Sequence, residues 1–132
     1  MLKHRDLTDK IIKGFYKVYN TLGYGFLENV YRNALEIELR KQGLHVVREA
    51  RFQVFYENEV VGNYFADLLV EGLVILELKA TSSLVAGNCS QLINYLKASK
   101  IEVGLLLNFG PRPELQRRVF DHSNGTDMLE DF

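Results

Sequence analysis

In residues 7–22 the apolar side chains Ile11, Phe15, Val18 and Leu22 recur at spacings of four, three and four, with Lys10, Lys13 and Lys17 on another face. That period predicts an amphipathic helix. Gly23-Tyr24-Gly25 breaks it, and the pattern resumes over residues 27–42 through Leu27, Val30, Tyr31, Ala34, Leu35 and Leu39, with Gly43 as the stop. The period then changes. Residues 45–56 are rich in Val and Phe, Glu57-Asn58-Glu59 reads as a hairpin turn, and residues 60–70 form a second run. Glu71 and Gly72 turn the chain into a third, residues 73–80, where Leu73, Val74, Ile75, Leu76 and Leu78 mark a strand covered on both faces. Ser82 or Ser83 is expected to cap the next helix, which is clearest over residues 91–99, and residues 101–109 form a final strand ending at Gly110-Pro111. From Glu114 the pattern weakens, and residues 121–132 are expected to fray as an acidic tail. The sum is mixed α/β: one central sheet flanked by helices, in a single domain over residues 1–120.

Composition agrees with that domain and excludes several classes. The chain has 132 residues, 47% hydrophobic and 25% charged, enough to bury a core without staples. One cysteine rules out a disulfide framework and any zinc site built from several cysteines. No apolar run is long enough to span a membrane, and Lys3, His4, Arg5 and Asp6 interrupt the start where a signal peptide would be apolar. A soluble, cytoplasmic protein is therefore expected. The net charge is −1, but the last twelve residues hold four acids and no Lys or Arg, leaving +3 on residues 1–120. A body of +3 does not produce the broad field of a tight nonspecific nucleic-acid binder, although a local groove can still be basic.

Glu77 and Lys79 are the informative residues, because a carboxylate and an ammonium interrupt an otherwise apolar strand. Two residues apart in a strand, they point to the same face. The preceding run offers Asp67, framed by Phe65, Ala66, Leu68 and Leu69. Hairpin register decides whether they meet. A loop of Glu71-Gly72-Leu73 pairs Val70 with Val74 and sets Asp67 opposite Glu77, whereas a two-residue loop sets Asp67 opposite Leu76 and on the other face from Glu77. In the first register two carboxylates converge within about 5 Å. At about 4 Å and an effective dielectric near 20 they repel by roughly 4 kcal/mol, which a divalent cation would cancel. Oxygen ligands from Asp67 and Glu77 with the Leu78 backbone carbonyl suit Mg2+ that keeps several waters. Lys79 beside such an ion could orient or deprotonate a water, or offset charge on a phosphate. The plainer alternative is that Glu77 and Lys79 neutralise each other near a sheet edge.

Asp67 followed by Glu77-Leu78-Lys79 resembles the bipartite signature of the PD-(D/E)XK nuclease superfamily, with Ala66 in place of the proline. Gly25-Phe26-Leu27-Glu28-Asn29-Val30-Tyr31 matches the G-x-x-E-x-x-Y motif of the GxxExxY family, a branch of that superfamily. The strings at residues 34–43, 64–71 and 91–97 and Leu107-Asn108-Phe109-Gly110 are similar to this family in order and spacing, over roughly residues 7–120. The resemblance implies a restriction-endonuclease-like domain and a Mg2+- or Mn2+-dependent phosphodiesterase acting on nucleic acid. It implies Asp67 and Glu77 as metal ligands, Lys79 as the residue that positions water, and Glu28 as an acid reaching the metal directly or through water. Gln91 and Tyr95, one helical turn apart, resemble the Q-x-x-x-Y motif of recombination-type nuclease domains, where the Gln holds the site or a phosphate. Tyr31 would support the site or be a core aromatic with its hydroxyl satisfied. Glu28 could equally be a first-turn acid favoured by the helix dipole and spaced to pair with Arg32. Glu28 and Gln91 are expected to point into the same concavity as Lys79, the main polar pocket of the domain.

The family pattern leads us to expect His in an H-x-x-Q arrangement, and Asn88 stands at that position, so no proton carrier is present there. Cys89 reads as a small packing residue, and His4, His45 and His122 form no ligand set. No recognition domain is evident after the core, so specificity is expected from a homodimer or a protein partner. A catalytically silent, nuclease-fold binding or scaffold protein is the alternative to an enzyme, because fold membership does not establish activity.

Overall fold

The computed structural model describes residues 3–123 and the backbone of residues 126–129. Helices α1 (Arg5–Leu22) and α2 (Glu28–Lys41) follow the apolar spacing, burying Ile11, Phe15 and Val18 from the first and Tyr31, Leu35 and Leu39 from the second. Then come strands β1 (Val46–Tyr56), β2 (Glu59–Val70) and β3 (Val74–Lys79), helix α3 (Ala86–Ala98), and strands β4 (Val103–Phe109), β5 (Pro113–Asp121) and β6 (Thr126–Leu129). The six strands form one sheet in chain order, antiparallel except where β3 lies parallel to β4. A parallel pair needs a crossover, and α3 supplies it.

Side-chain alternation in the central strands builds two cores. Val74, Leu76 and Leu78 of β3, with Val103, Leu105 and Leu107 of β4, pack beneath α1 and α2. Ile75 and Leu106 face the other way, with Ala66 and Phe120, against Leu92, Ile93 and Leu96 of α3. The result is helix, sheet, helix in three layers, with β3 and β4 covered on both faces. Glu77 and Lys79 share the parity of Ile75 and so belong to the α3 face.

Three expectations change. The stretch from Glu114, where no strand was expected, is β5: its Arg117, Val119 and Phe120 are buried, and it pairs along all of β4. In the tail, Thr126–Leu129 pairs with β5 as β6, while residues 124, 125 and 130–132 lie outside the described residues. Helix α3 begins at Ala86, not at Ser82 or Ser83, and its start is held by Asn88 Oδ1 accepting from Val85 N at 2.9 Å.

Strand β2 belongs to two ladders of unequal length. Its pairing with β1 runs to Tyr56↔Glu59, closed by Glu57 and Asn58 with φ of 49° and 68°, the signature of a two-residue hairpin turn. Its pairing with β3 runs only from Val70↔Val74 to Leu68↔Leu76. The β1–β2 ribbon therefore leaves the sheet at Asp67.

Candidate active site

The three-residue loop Glu71-Gly72-Leu73 sets the register that brings Asp67 opposite Glu77. Gly72 takes φ of 65° and Leu73 N donates to Val70 O at 2.9 Å, closing the turn. Where the backbone ladder stops, side chains bridge the two strands. Asp67 N donates to Glu77 Oε1 at 3.0 Å, and Leu78 N donates to Asp67 Oδ2 at 2.7 Å. Each carboxylate thus occupies the place of a missing carbonyl acceptor. Within a strand the N–H and C=O of one residue leave on the same side, so the Leu78 carbonyl is turned toward this gap as well.

The electrostatics are those of crowded acids. Burial, then the Asp67 charge, pushes the Glu77 carboxyl up to about 8, so it is largely neutral at pH 7. Burial also raises Asp67, against the lowering effects of the Leu78 N–H bond, Arg32 and Lys79. Glu28 stands at the surface in the first turn of α2, yet partial burial of its carboxyl and the nearby Asp67 charge raise it too. Lys79 lowers all three acids, and its ammonium makes no hydrogen bond or ion pair with a described residue. Mutual neutralisation of Glu77 and Lys79 is therefore not the arrangement adopted.

Helix α3 contributes a polar border. Gln91 Nε2 donates to the Tyr95 hydroxyl at 3.2 Å, and Tyr95 is raised by burial and by the charges of Glu77 and Asp67. Tyr64 of β2 continues this edge, its ring 5.2 Å from that of Tyr95. Tyr31 is elsewhere. Its hydroxyl donates to Gly23 O at 2.5 Å and accepts from Phe26 N at 3.1 Å, and its ring stacks on Phe109 at 4.3 Å. It braces the turn that delivers Glu28, so its support is structural. Asn88 is spent on the cap of α3, and Cys89 Sγ bonds Gln116 Oε1 at 2.7 Å.

One cavity of about 560 Å3 lies between α3 and β5, lined by Val85, Cys89, Asn94, Lys97, Gln116 and Arg118. Another, of about 770 Å3, lies between α1 and α2 beside Lys13, Lys17 and Glu38. Neither of these two is lined by Glu28, Asp67, Glu77, Lys79 or Gln91.

Two site neighbours escaped the sequence reading as contributors. Arg32 of α2 acts on both Glu28 and Asp67, and its only advance signal was the one-turn spacing from Glu28. Asn108, paired with Lys79 in the β3–β4 register, is fully buried. Its Oδ1 accepts from Thr81 N at 2.9 Å and its Nδ2 donates to Thr81 O at 3.0 Å and Glu114 Oε1 at 2.9 Å, pinning the chain just after Lys79. Gly110 completes this clamp: a Cβ there would meet Thr81 O at 2.4 Å.

Among the described residues no three of His, Cys, Asp and Glu converge as a ready-made metal cage. The donors that adjoin are all oxygens: Asp67 and Glu77, which bridge the two strands, and the Leu78 carbonyl on the same side, while Glu28 senses the Asp67 charge. Asp67 Oδ1 and Glu77 Oε2 take no hydrogen bond from a described residue. Hard oxygen donors on acids destabilised by one another fit a divalent cation that keeps part of its water shell.

A model of the PD-(D/E)XK nuclease superfamily matches residues 5–119. No curated protein sequence matches significantly. Among solved structures, one titled "Crystal structure of SSO0001" superimposes with a TM-score of 0.56 at 20% identity, covering 67% of this chain and 48% of that one. The chain thus spans about half the length of that structure, and the likeness is one of fold. The family model covers most of the chain, and the chain belongs to the PD-(D/E)XK nuclease superfamily.

Proposed function

We propose that this chain is a metal-dependent nuclease of the GxxExxY branch, hydrolysing phosphodiester bonds in nucleic acid with Mg2+ or Mn2+. The observation that carries the reading is the Glu77 carboxyl, raised to about 8 beside Asp67 and Glu28 at the point where two strands part. Such a cluster weakens the fold unless a cation occupies it, and perturbed acids of this kind gather at functional sites. The branch is supported by the physical logic of its motif. Gly25 takes φ of 121°, Glu28 opens α2, and Tyr31 ties the intervening turn to the core.

Asp67, Glu77 and the Leu78 carbonyl would hold the metal, with Glu28 reaching it directly or through water. The ion's chemistry, when bound, is to lower the pKa of a water and to offset negative charge on the phosphate. Lys79, without a side-chain partner among the described residues, supplies an ammonium to orient the attacking water or to stabilise charge that develops on the phosphate. Gln91 and Tyr95 border the site and fix its α3 side. Asn108 holds Lys79 in place from behind. A second subunit or a protein partner would supply specificity. No helix of the described residues is long and apolar enough to cross a membrane. The free thiol Cys89 accords with the reducing cytoplasm we propose as the location.

Cleavage assays test this reading. Purified protein at low ionic strength, offered single strands, duplexes, flaps and junctions with Mg2+ or Mn2+, should cut at least one, and chelation should stop it. Lys79→Ala should nearly eliminate turnover while metal affinity is kept or improved, and Asp67→Ala should lose both. Metal binding without cleavage of any substrate, together with an inert Lys79→Ala, would identify a nuclease-fold scaffold instead.

A further inference from the structure

Arg32 lies one turn beyond Glu28 on α2, on the side that carries Glu28 toward the carboxylates. Its charge lowers the carboxyls of both Glu28 and Asp67, so the guanidinium borders the site. Its bonding is incomplete. Nε is buried without a hydrogen-bond partner, and Nη1 meets Glu49 Oε1 only at 3.7 Å, beyond hydrogen-bond length. A buried N–H without an acceptor is costly to leave in that state.

Glu49 is itself unusual. In β1, Arg48 pairs with Leu68 and Ala50 with Ala66, and the position between them, Glu49 facing Asp67, is not paired. Glu49 has φ of 50°, a left-handed conformation that a glutamate rarely adopts inside a strand. The β1–β2 ladder is therefore interrupted on one side of Asp67, as the β2–β3 ladder ends on the other. The interruption sets an exposed acid beside the half-satisfied arginine.

We infer that Arg32 is a phosphate-binding residue of this site, kept in place by Glu49 until a substrate phosphate displaces that carboxylate. The inference rests on the nuclease reading above and deepens it by naming the contact that holds the phosphodiester. A guanidinium offers a planar fork of N–H donors that matches two phosphate oxygens, and Nε is the donor that lacks one now. The pair with Glu49 is long and its carboxylate side chain is 63% exposed, so exchange for a phosphate oxygen costs little. Charge on Glu28 and Asp67 would otherwise repel a phosphodiester. No bond is made or broken by Arg32; it binds and orients.

The Arg32 Nε–H resonance of 15N-labelled protein reports the contact, identified by its loss in Arg32→Lys. Inorganic phosphate without added metal and, separately, a short oligonucleotide with Ca2+ in place of Mg2+ are titrated. Both ligands should shift this resonance, and Arg32→Lys should weaken both by about tenfold as measured by calorimetry. Glu49→Gln, which keeps the arginine and frees it, should tighten both by about threefold to tenfold. Circular dichroism shows whether the Arg32 variant folds, and the Glu49 variant gives an independent arm if it does not. An oligonucleotide that binds without moving Arg32 and without sensing Glu49 overturns the inference and leaves the nuclease reading intact. If phosphate shifts Arg32 but no nucleic acid is bound or cut, the subsite stands and the nuclease reading fails. No shift with either ligand overturns the inference.

Discussion

Glu77 is 4% exposed and faces two other acids, and its titration should govern the pH dependence of the metal-free fold. Its folded pKa, about 8, lies above the unfolded value of 4.5, so the folded state holds the proton more tightly. Below pH 4.5 both states are protonated and nothing is lost. As pH rises from there to about 8 the unfolded chain ionises while the folded one resists, and stability falls. The loss should be on the order of 3–5 kcal/mol, with Asp67 and Glu28 adding in the same direction. Denaturant midpoints at several pH values measure it, and Glu77→Gln, which can still accept from Asp67 N, should flatten the curve. Asn108 acts at the same scale by bonding. Asn108→Ala should cost about 2–3 kcal/mol, because Thr81 N and O lose their partner, and it should slow cleavage by loosening the chain beyond Lys79. The acids and Lys79 were legible because charge inside an apolar strand needs a reason. Arg32 was not, since one basic residue on a helix resembles any other. Asn108 carries no signal of its own in the sequence, because its partner Thr81 is 27 residues away and no local pattern joins them.

Helices α1 and α2 and strands β1 to β3 were readable because burial on one or both faces imposes a period. Strand β5 was not, because Arg117 inverts its pattern: a charged residue occupies an inward position. Its Nη1 donates to Thr8 Oγ1 at 3.1 Å and its Nη2 to Lys3 O, so the arginine ties β5 to the start of α1. The start of α3 was hidden by Gly87, Asn88, Cys89 and Ser90, weak helix formers that tertiary packing overrides. Chain deletions should separate these elements. Removing residues 113–132 strips β4 of its neighbour and should prevent stable folding. Removing residues 123–132 takes only the edge strand β6 and should lower the thermal midpoint by a few degrees. Thermal unfolding of the two truncations checks both outcomes. A collapse of the shorter deletion would mean that β6 contributes far more than edge pairing.

At the scale of the whole molecule, the site lies where one sheet divides into a three-layered body and a two-stranded ribbon. The division exposes Phe55, Tyr56, Val60 and Val61 near the ribbon's end and leaves the carboxylates outside both cavities. With +3 on residues 1–120, affinity for nucleic acid should be modest and fall as salt is raised, which fluorescence anisotropy at a series of salt concentrations would show. The central claim is narrower: Asp67 and Glu77 are acids waiting for a divalent cation. Calorimetric titration of Mn2+ at pH 7, repeated in buffers of different ionisation heat, tests it most directly, since the cation must displace the proton held on Glu77. The account predicts one saturable site that releases close to one proton, and that disappears in Asp67→Ala. Saturable binding with no proton release, or binding that survives the loss of Asp67, would contradict it.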